Sequence, residues 1–296
     1  MYEEAVPLPS HLTTNCYTTE QQWLLQSPML MQPSSMLDGL TWLQSLNIQP
    51  PLFEHPTTEE PPRRLGIYYE QLVNNILKKS RQLIDIHKNI QVFEDNRTIG
   101  EFDFLCVDQK GETHHLECAI KFYLCDGAGD QLHHYVGPNR RDRLDRKWGQ
   151  LTGRQIMLGL HPAAVHTCQS LGVPTPDHCH ILIQGYLFYP FADFCNGLPK
   201  APLNPAINPQ HQKGWWIRHS ERERLLEGDT LRLQARLKPD WLKHWVSPEE
   251  PQDWNPVKIE RPIMISRVRK HKDGFWREVD RGFVVPDQWG APSNGR

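Results

Sequence analysis

No stretch of this 296-residue sequence approaches the run of about 18 or more apolar residues that a membrane-spanning helix requires. The longest apolar run, Ile181 to Phe191, is interrupted by Gln184 and Gly185, so a transmembrane helix is not expected. The seven cysteines are an odd number and contain no C-x-x-C pair, and Cys106 and Cys118 lie inside strand-like apolar runs, so reduced packing thiols are expected rather than a disulfide framework. Neither a P-loop G-x-x-x-x-G-K-[ST] nor a dinucleotide-binding G-x-G-x-x-G is present, which leaves ATP-driven and nicotinamide redox chemistry without support. Internal repeats and low-complexity tracts are also missing. The start, Met1-Tyr2-Glu3-Glu4, lacks the basic and apolar regions of a secretory signal, so a cytoplasmic location with no membrane partner is expected.

What is present describes a folded α/β protein. Hydrophobic residues make up 38% and include 10 Trp, 8 Tyr and 10 Phe, too many for a disordered polyelectrolyte. The net charge of −2 conceals an asymmetry: residues 1–60 contain seven acids and neither Lys nor Arg, which leaves the remainder at +5. Segments 138–154 (six basic, two acidic) and 261–281 (seven basic, three acidic) concentrate that charge and suit a polyanion.

Three regions follow. Residues 1–62 form an acidic helical N-terminal segment, with a helical pattern over Met36 to Leu46 capped at Ser34-Ser35 and Pro-rich punctuation at Pro50-Pro51 and Pro61-Pro62. Residues 63–190 read as one compact core of order α-β-β-β-α-β. Its first helix carries Tyr69, Leu72, Val73, Ile76, Leu77, Leu83 and Ile84 on one face and ends near Asp85. Strands at about 88–94, 99–107 and 113–124 follow, then a second helix opening at Pro138-Asn139 with Leu144, Trp148, Leu151, Gln155 and Leu158 on one face, a loop-rich connection, and a strand at about 180–189. Residues 191–296 are a Trp/Pro-rich extension with strands at Lys213 to Arg218 and Ile263 to Lys270, and a hairpin turned at Gly274 into Phe275 to Val285.

The chemistry concentrates on the hairpin Gly100-Glu101-Phe102-Asp103-Phe104-Leu105 and Leu116-Glu117-Cys118-Ala119-Ile120-Lys121-Phe122. Period-two alternation puts Phe102, Phe104, Cys118 and Ile120 on the core face, and Glu101, Asp103, Glu117 and Lys121 on the other. With the turn centred on Lys110, Asp103 lies opposite Glu117 and Glu101 opposite Ala119. Opposed carboxylates destabilise a sheet unless compensated, and a hard divalent cation is the natural compensator for oxygen ligands.

This pattern resembles the PD-(D/E)XK, or restriction-endonuclease-like, nuclease superfamily, in which an acid on one hairpin strand and an acid plus lysine on the next bind Mg²⁺ on an α-β-β-β-α-β core. Gly100-Glu101-Phe102-Asp103 is similar to the G-E-x-D strand of its Holliday-junction-resolvase-like branch. The whole chain also looks like an uncharacterised bacterial family of about this length, through Gly100 to Leu105, Glu117 to Leu124, Gly137-Pro138-Asn139 and Phe283-Val284-Val285-Pro286. The superfamily resemblance covers about residues 64–190. It departs from the pattern at one point: Glu117 and Lys121 are four residues apart rather than two, and Ala119 stands at the usual lysine position.

The resemblance implies a Mg²⁺-dependent phosphodiesterase, with Mn²⁺ as a substitute, acting on DNA in preference to RNA. Asp103 and Glu117 would hold the metal together with Glu101 or Glu70, the latter resembling a helix-one glutamate used as an additional ligand. Lys121 would position the attacking water or stabilise the phosphorane. Gln155, a polar residue on an apolar helix face, resembles a second-helix glutamine of one superfamily branch, and Arg140, Arg141, Arg143 and Lys147 would grip phosphates. The competing reading is a nucleic-acid-binding or scaffold protein that keeps this fold without turnover. His166, Cys168, His178, Cys179 and His180 are potential zinc ligands whose irregular spacing fits no standard closed site.

Overall fold

A computed structural model describes residues 19–34, 37–48, 64–197, 204–226, 230–238, 240–252 and 254–291. The protein is mixed α/β, with ten strands in mixed parallel and antiparallel pairing. Its chain divides into two compact units interleaved in sequence: the described parts of 1–120 and 148–184, and of 121–147 and 185–296. Among the described residues no helix is long and apolar enough to cross a membrane.

The first unit contains α1 (Thr19–Gln26), α2 (Gly39–Ser45) and α3 (Leu65–Leu77), followed by β1 (Leu83–Glu94), β2 (Arg97–Asp108) and β3 (Thr113–Cys125). α5 (Pro162–Leu171) and β5 (His178–Pro190) complete it, the last beginning beside β3; β3 and β5 each run on into the second unit, and α4 (Leu144–Gly149) begins in the second unit and ends in the first. The expected long first helix is two elements. Its apolar stripe ends at Leu77, and Leu83 and Ile84 start β1, because a turn over Lys78 to Gln82 intervenes. The expected second helix is also divided: α4 passes into a π-helical stretch, Gln150–Gln155, and a single tight turn, Leu158–Leu160. α5, in what reads from sequence as loop, has Pro162 in its first turn and Gly172 at φ +70° closing it.

In the N-terminal region the expected helical pattern contains α2, whose N-cap is Asp38; Ser35 and Met36 lie outside the described residues. Asp38 accepts from Thr41 N at 2.9 Å and from Thr41 Oγ1 at 2.8 Å. Asp38→Ala should therefore lower stability by about 1 kcal/mol in urea unfolding, and Asp38→Asn, which keeps the acceptor, should recover most of it.

Both interruptions of the longest apolar run have physical reasons. Gln184 is fully buried: its Oε1 accepts from the Tyr69 hydroxyl at 2.6 Å, and its Nε2 donates to the carbonyls of Leu24 and Ser27, tying α1 and α3 to β5. Gly185, at φ +131°, leaves room for the Lys121 carbonyl oxygen, which a Cβ would approach to 1.8 Å.

The second unit contains β4 (Tyr135–Val136), α6 (Phe191–Cys195), β6 (Gln212–Arg218), β7 (Leu231–Ala235), β8 (Val246–Ser247), β9 (Ile263–Lys270) and β10 (Trp276–Val285). Its strands run β5-β6-β10-β9-β7, with β5–β6 and β6–β10 parallel and the other pairs antiparallel. The late tryptophans are structural: Trp215 is buried and donates to Asp280 at 2.6 Å, while Trp216, Trp241 and Trp289 donate to the backbone carbonyls of Cys125, Arg236 and Pro138.

Candidate functional site

The β2–β3 hairpin has the expected register over Phe104–Leu116, Leu105–His115, Cys106–His114 and Val107–Thr113. The β2–β3 ladder stops there. One step further, Asp103 Oδ2 accepts from Cys118 N at 2.9 Å, so a side-chain oxygen occupies a position that a strand carbonyl would otherwise take.

The face opposite the expected core is not a solvated collection of charge. β3 is buried along both faces, and Glu117 has no exposed surface. Phe102 is not behind the acids: it clusters with Leu105, Leu158, Ala164 and Cys168, and its ring meets that of His115, on the Glu117 side of the strand, at 4.7 Å. Glu117 Oε1 pairs with His115 Nε2 at 2.7 Å, and its Oε2 accepts from Gln155 Nε2. Gln155 ends the π-helical stretch, a rare geometry that re-aims side chains and is frequent at functional sites. Arg154 secures that stretch to β2 by donating to the Ile99 carbonyl at 3.0 Å. The polar residue on the apolar helix face is therefore paired inside the protein, with a carboxylate. His115 Nδ1 is buried and has no hydrogen-bond partner.

The other predicted ligands are less closely gathered. Glu101 is half-exposed, at 3.5 Å from Gln91 Nε2, and Glu70 is a half-buried residue of α3. Among the described residues, Asp103, Glu117, Glu101 and Glu70 do not supply three ligand atoms within 4.8 Å of one another. Lys121, in the second unit, donates to Asp142 Oδ2 at 2.6 Å.

A second cluster in the first unit joins His178 and His180, weighed from sequence as zinc ligands, to His114 and Trp42, which the sequence did not single out. His114 Nδ1 lies 3.1 Å from His180 Nε2, and Trp42 stacks on the His180 ring at 4.5 Å and on the His114 ring at 5.2 Å. His178 stacks on His114 at 4.9 Å. Burial, reinforced by His178, holds the His114 imidazole below its usual range, and burial followed by the neighbouring histidines takes His180 down to about 3. Of the five residues weighed as zinc ligands, His178 belongs to this cluster and His180 supports it, whereas Cys168 lies in the α5 core. His114 and Glu112 have no short-range signal, because their partners lie across the β3–β5 neighbourhood.

The thiols fit a packing role. The six described cysteines form no disulfide; burial pushes Cys106 up to about 12 and also raises Cys168 and Cys179.

Comparison with known proteins places the sequence directly: the profile of a family described as "domain of unknown function (DUF1853)" matches residues 7–285. The chain belongs to this family. No curated protein and no solved structure matches it.

In this DUF1853 chain several arginines of the basic segments are ion-paired internally. Arg140, Arg141 and Arg143 precede α4 rather than forming one helix with it. Arg140, at φ +58°, pairs with Asp126 at 2.5 Å and lies over the Trp289 ring at 4.9 Å, and Arg143 is bidentate to Asp145 at 2.6 Å. Arg141 and Lys147 are respectively exposed and half-buried. Arg140 and Arg141 line an open cavity of about 490 Å³ with Trp289 and Glu260. In segment 261–281, Arg267 is bidentate to Asp280, Arg277 to Asp273, and Arg281 is buried against Glu278. These pairs engage Arg140, Arg143, Arg267, Arg277 and Arg281, five of the thirteen basic side chains in the two segments.

Proposed function

We propose that this DUF1853 protein is a Mg²⁺-dependent phosphodiesterase of the PD-(D/E)XK kind, acting on nucleic acid and using Asp103 and Glu117 as metal ligands. The observation that carries this reading is the state of Glu117. Its fully buried carboxylate meets two side-chain donors, at the end of a π-helical stretch and beside the point where Asp103 replaces a ladder bond. A buried carboxylate is costly without a compensating cation, and the orphaned His115 Nδ1 adds a second buried polar cost at the same place. Sites kept despite such costs are commonly functional ones. A hard cation held by Asp103 and Glu117 would supply the positive charge and activate water for in-line attack. Within this reading Gln155 and His115 are positioning residues: they fix the Glu117 carboxylate by hydrogen bonds and do not touch substrate.

A second reading rests on Lys121. Its ammonium is engaged by Asp142 at 2.6 Å, which favours a nuclease-fold protein that binds nucleic acid without cutting it. The two are separated by incubating tag-free protein with single-stranded DNA, double-stranded DNA and RNA. The phosphodiesterase reading expects cleavage in Mg²⁺ or Mn²⁺ that EDTA abolishes. Binding without cleavage of any of the three substrates supports the second reading.

A further inference from the structure

We propose that Glu112, His114 and His178 form a binding site for a zinc-class divalent cation, distinct from the Asp103–Glu117 pair. A ring nitrogen of each histidine and a Glu112 carboxylate oxygen all lie within 4.8 Å of one another, the one such trio among the described residues. Glu112 Oε2 and His178 Nε2 are already 3.6 Å apart. Ligand atoms around a tetrahedral zinc ion, at bond lengths of about 2.0–2.1 Å, sit roughly 3.3 Å from one another, so closing the trio requires side-chain adjustment and no movement of the strands.

The donor set selects the metal. Two imidazoles and one carboxylate suit zinc and its transition-metal neighbours, whereas Mg²⁺ takes oxygen ligands. The surroundings are also those of a site rather than of a chance surface pair. His114 is buried and held between the Trp42 and His178 rings, and its Nδ1 is taken by His180 Nε2, which leaves Nε2 as the ligating atom. A metal-bound histidine generally hands its other ring nitrogen to such an orienting partner. Nearby, Asp108 Oδ1 accepts from the amides of Lys110 and Glu112, and its Oδ2 stands 3.8 Å from His114 Nε2, too far for a hydrogen bond. Two carboxylates therefore face the imidazole edges without closing a hydrogen bond to His114 Nε2. The Glu112 and His178 side chains are each 46% exposed, so the ion has an entry path and a fourth position open to water.

The ligands come from the β2–β3 turn, from β3 and from the first residue of β5, so the ion would clamp the turn to the start of β5. Binding N but not U raises the melting temperature by mass action.

The test is a zinc titration of tag-free protein by calorimetry, with Co²⁺ absorption as a spectroscopic readout of the coordination shell. One equivalent of Zn²⁺ is expected to bind and raise the melting temperature. The exposed double variant Glu112→Gln with His178→Gln should fold normally and lose stoichiometric binding, and His180→Asn should weaken it by about 10–100-fold. Asp103→Asn should bind zinc as the parent does. The proposal is overturned by failure of the parent to take up one equivalent, by binding that survives the double variant, or by binding that disappears with Asp103→Asn instead.

Discussion

Replacing Glu278 by Gln is expected to cost about 3–5 kcal/mol of stability, the scale for removing one partner from a buried ionic group. The Glu278 side chain is 2% exposed and stands between two equally buried arginines. Arg236 Nη1 donates to its Oε2 at 2.7 Å and Arg281 Nε to its Oε1 at 2.5 Å, while Ser266 Oγ and Trp245 N also donate to Oε2. Both Nη atoms of Arg281 and Nη2 of Arg236 reach the carbonyls of Trp241 and Lys243, so neither guanidinium can turn toward solvent without breaking those bonds, while Arg236 Nε is buried without a partner. Neutralising Glu278 leaves two guanidinium groups buried without a counter-charge.

The same group sets a pH dependence with a definite sign. Burial alone would raise the Glu278 carboxyl, but Arg281, His244 and Arg236 together bring it from 4.5 down to about 2. Because the folded value lies below the unfolded one, the folded state favours the ionised form. That contribution, about 3 kcal/mol by linkage, is complete above the unfolded value and is lost as pH falls from 4.5 through about 2. Urea unfolding followed by tryptophan fluorescence at pH 7 and pH 3 should show a gap between parent and Glu278→Gln that narrows on acidification. A gap that stays constant would show that the triad's charge is not what holds this region.

How much of this was legible in the sequence depends on the range of the forces involved. The alternation in 99–107 and 113–124 and the Lys110-centred turn are local, and the structure has both strands and the register over four pairs. Burial of Glu117 was not legible, because alternation tells which residues share a face but not whether another layer covers it. Leu144, Leu151 and Leu158 are buried as the helical spacing predicts, yet the helix is interrupted after Gly149, since tertiary bonds from Arg154 and Gln155 override the 3.6-residue period. Charge counts along 261–281 include Asp273, Glu278 and Asp280 but do not say which arginines they engage, since only side-chain direction shows that these are Arg277, Arg281 and Arg267. His114 meets His180 from 66 residues away, a distance that no spacing rule spans.

Glu117→Gln is the substitution that bears hardest on the proposed phosphodiesterase. It preserves volume and strand propensity and removes one charge at the proposed metal, so cleavage should fall about 10³-fold or more, the equivalent of several kcal/mol of lost metal stabilisation. Folding should be nearly unaffected. The new amide oxygen can accept from one of the two present donors, and the new NH₂ can find an acceptor if the Gln155 amide turns over or His115 changes tautomer, for which its unpartnered Nδ1 leaves freedom. Losing a buried charge can even raise the melting temperature, since the carboxylate's desolvation cost disappears with it. Stability and turnover are therefore expected to move independently, or in opposite directions. That separation distinguishes a metal ligand from a structural acid, whose loss would lower both together. A Glu117→Gln protein that cleaves nucleic acid at the parental rate would remove Glu117 from the metal site, and with it the observation on which the phosphodiesterase reading rests.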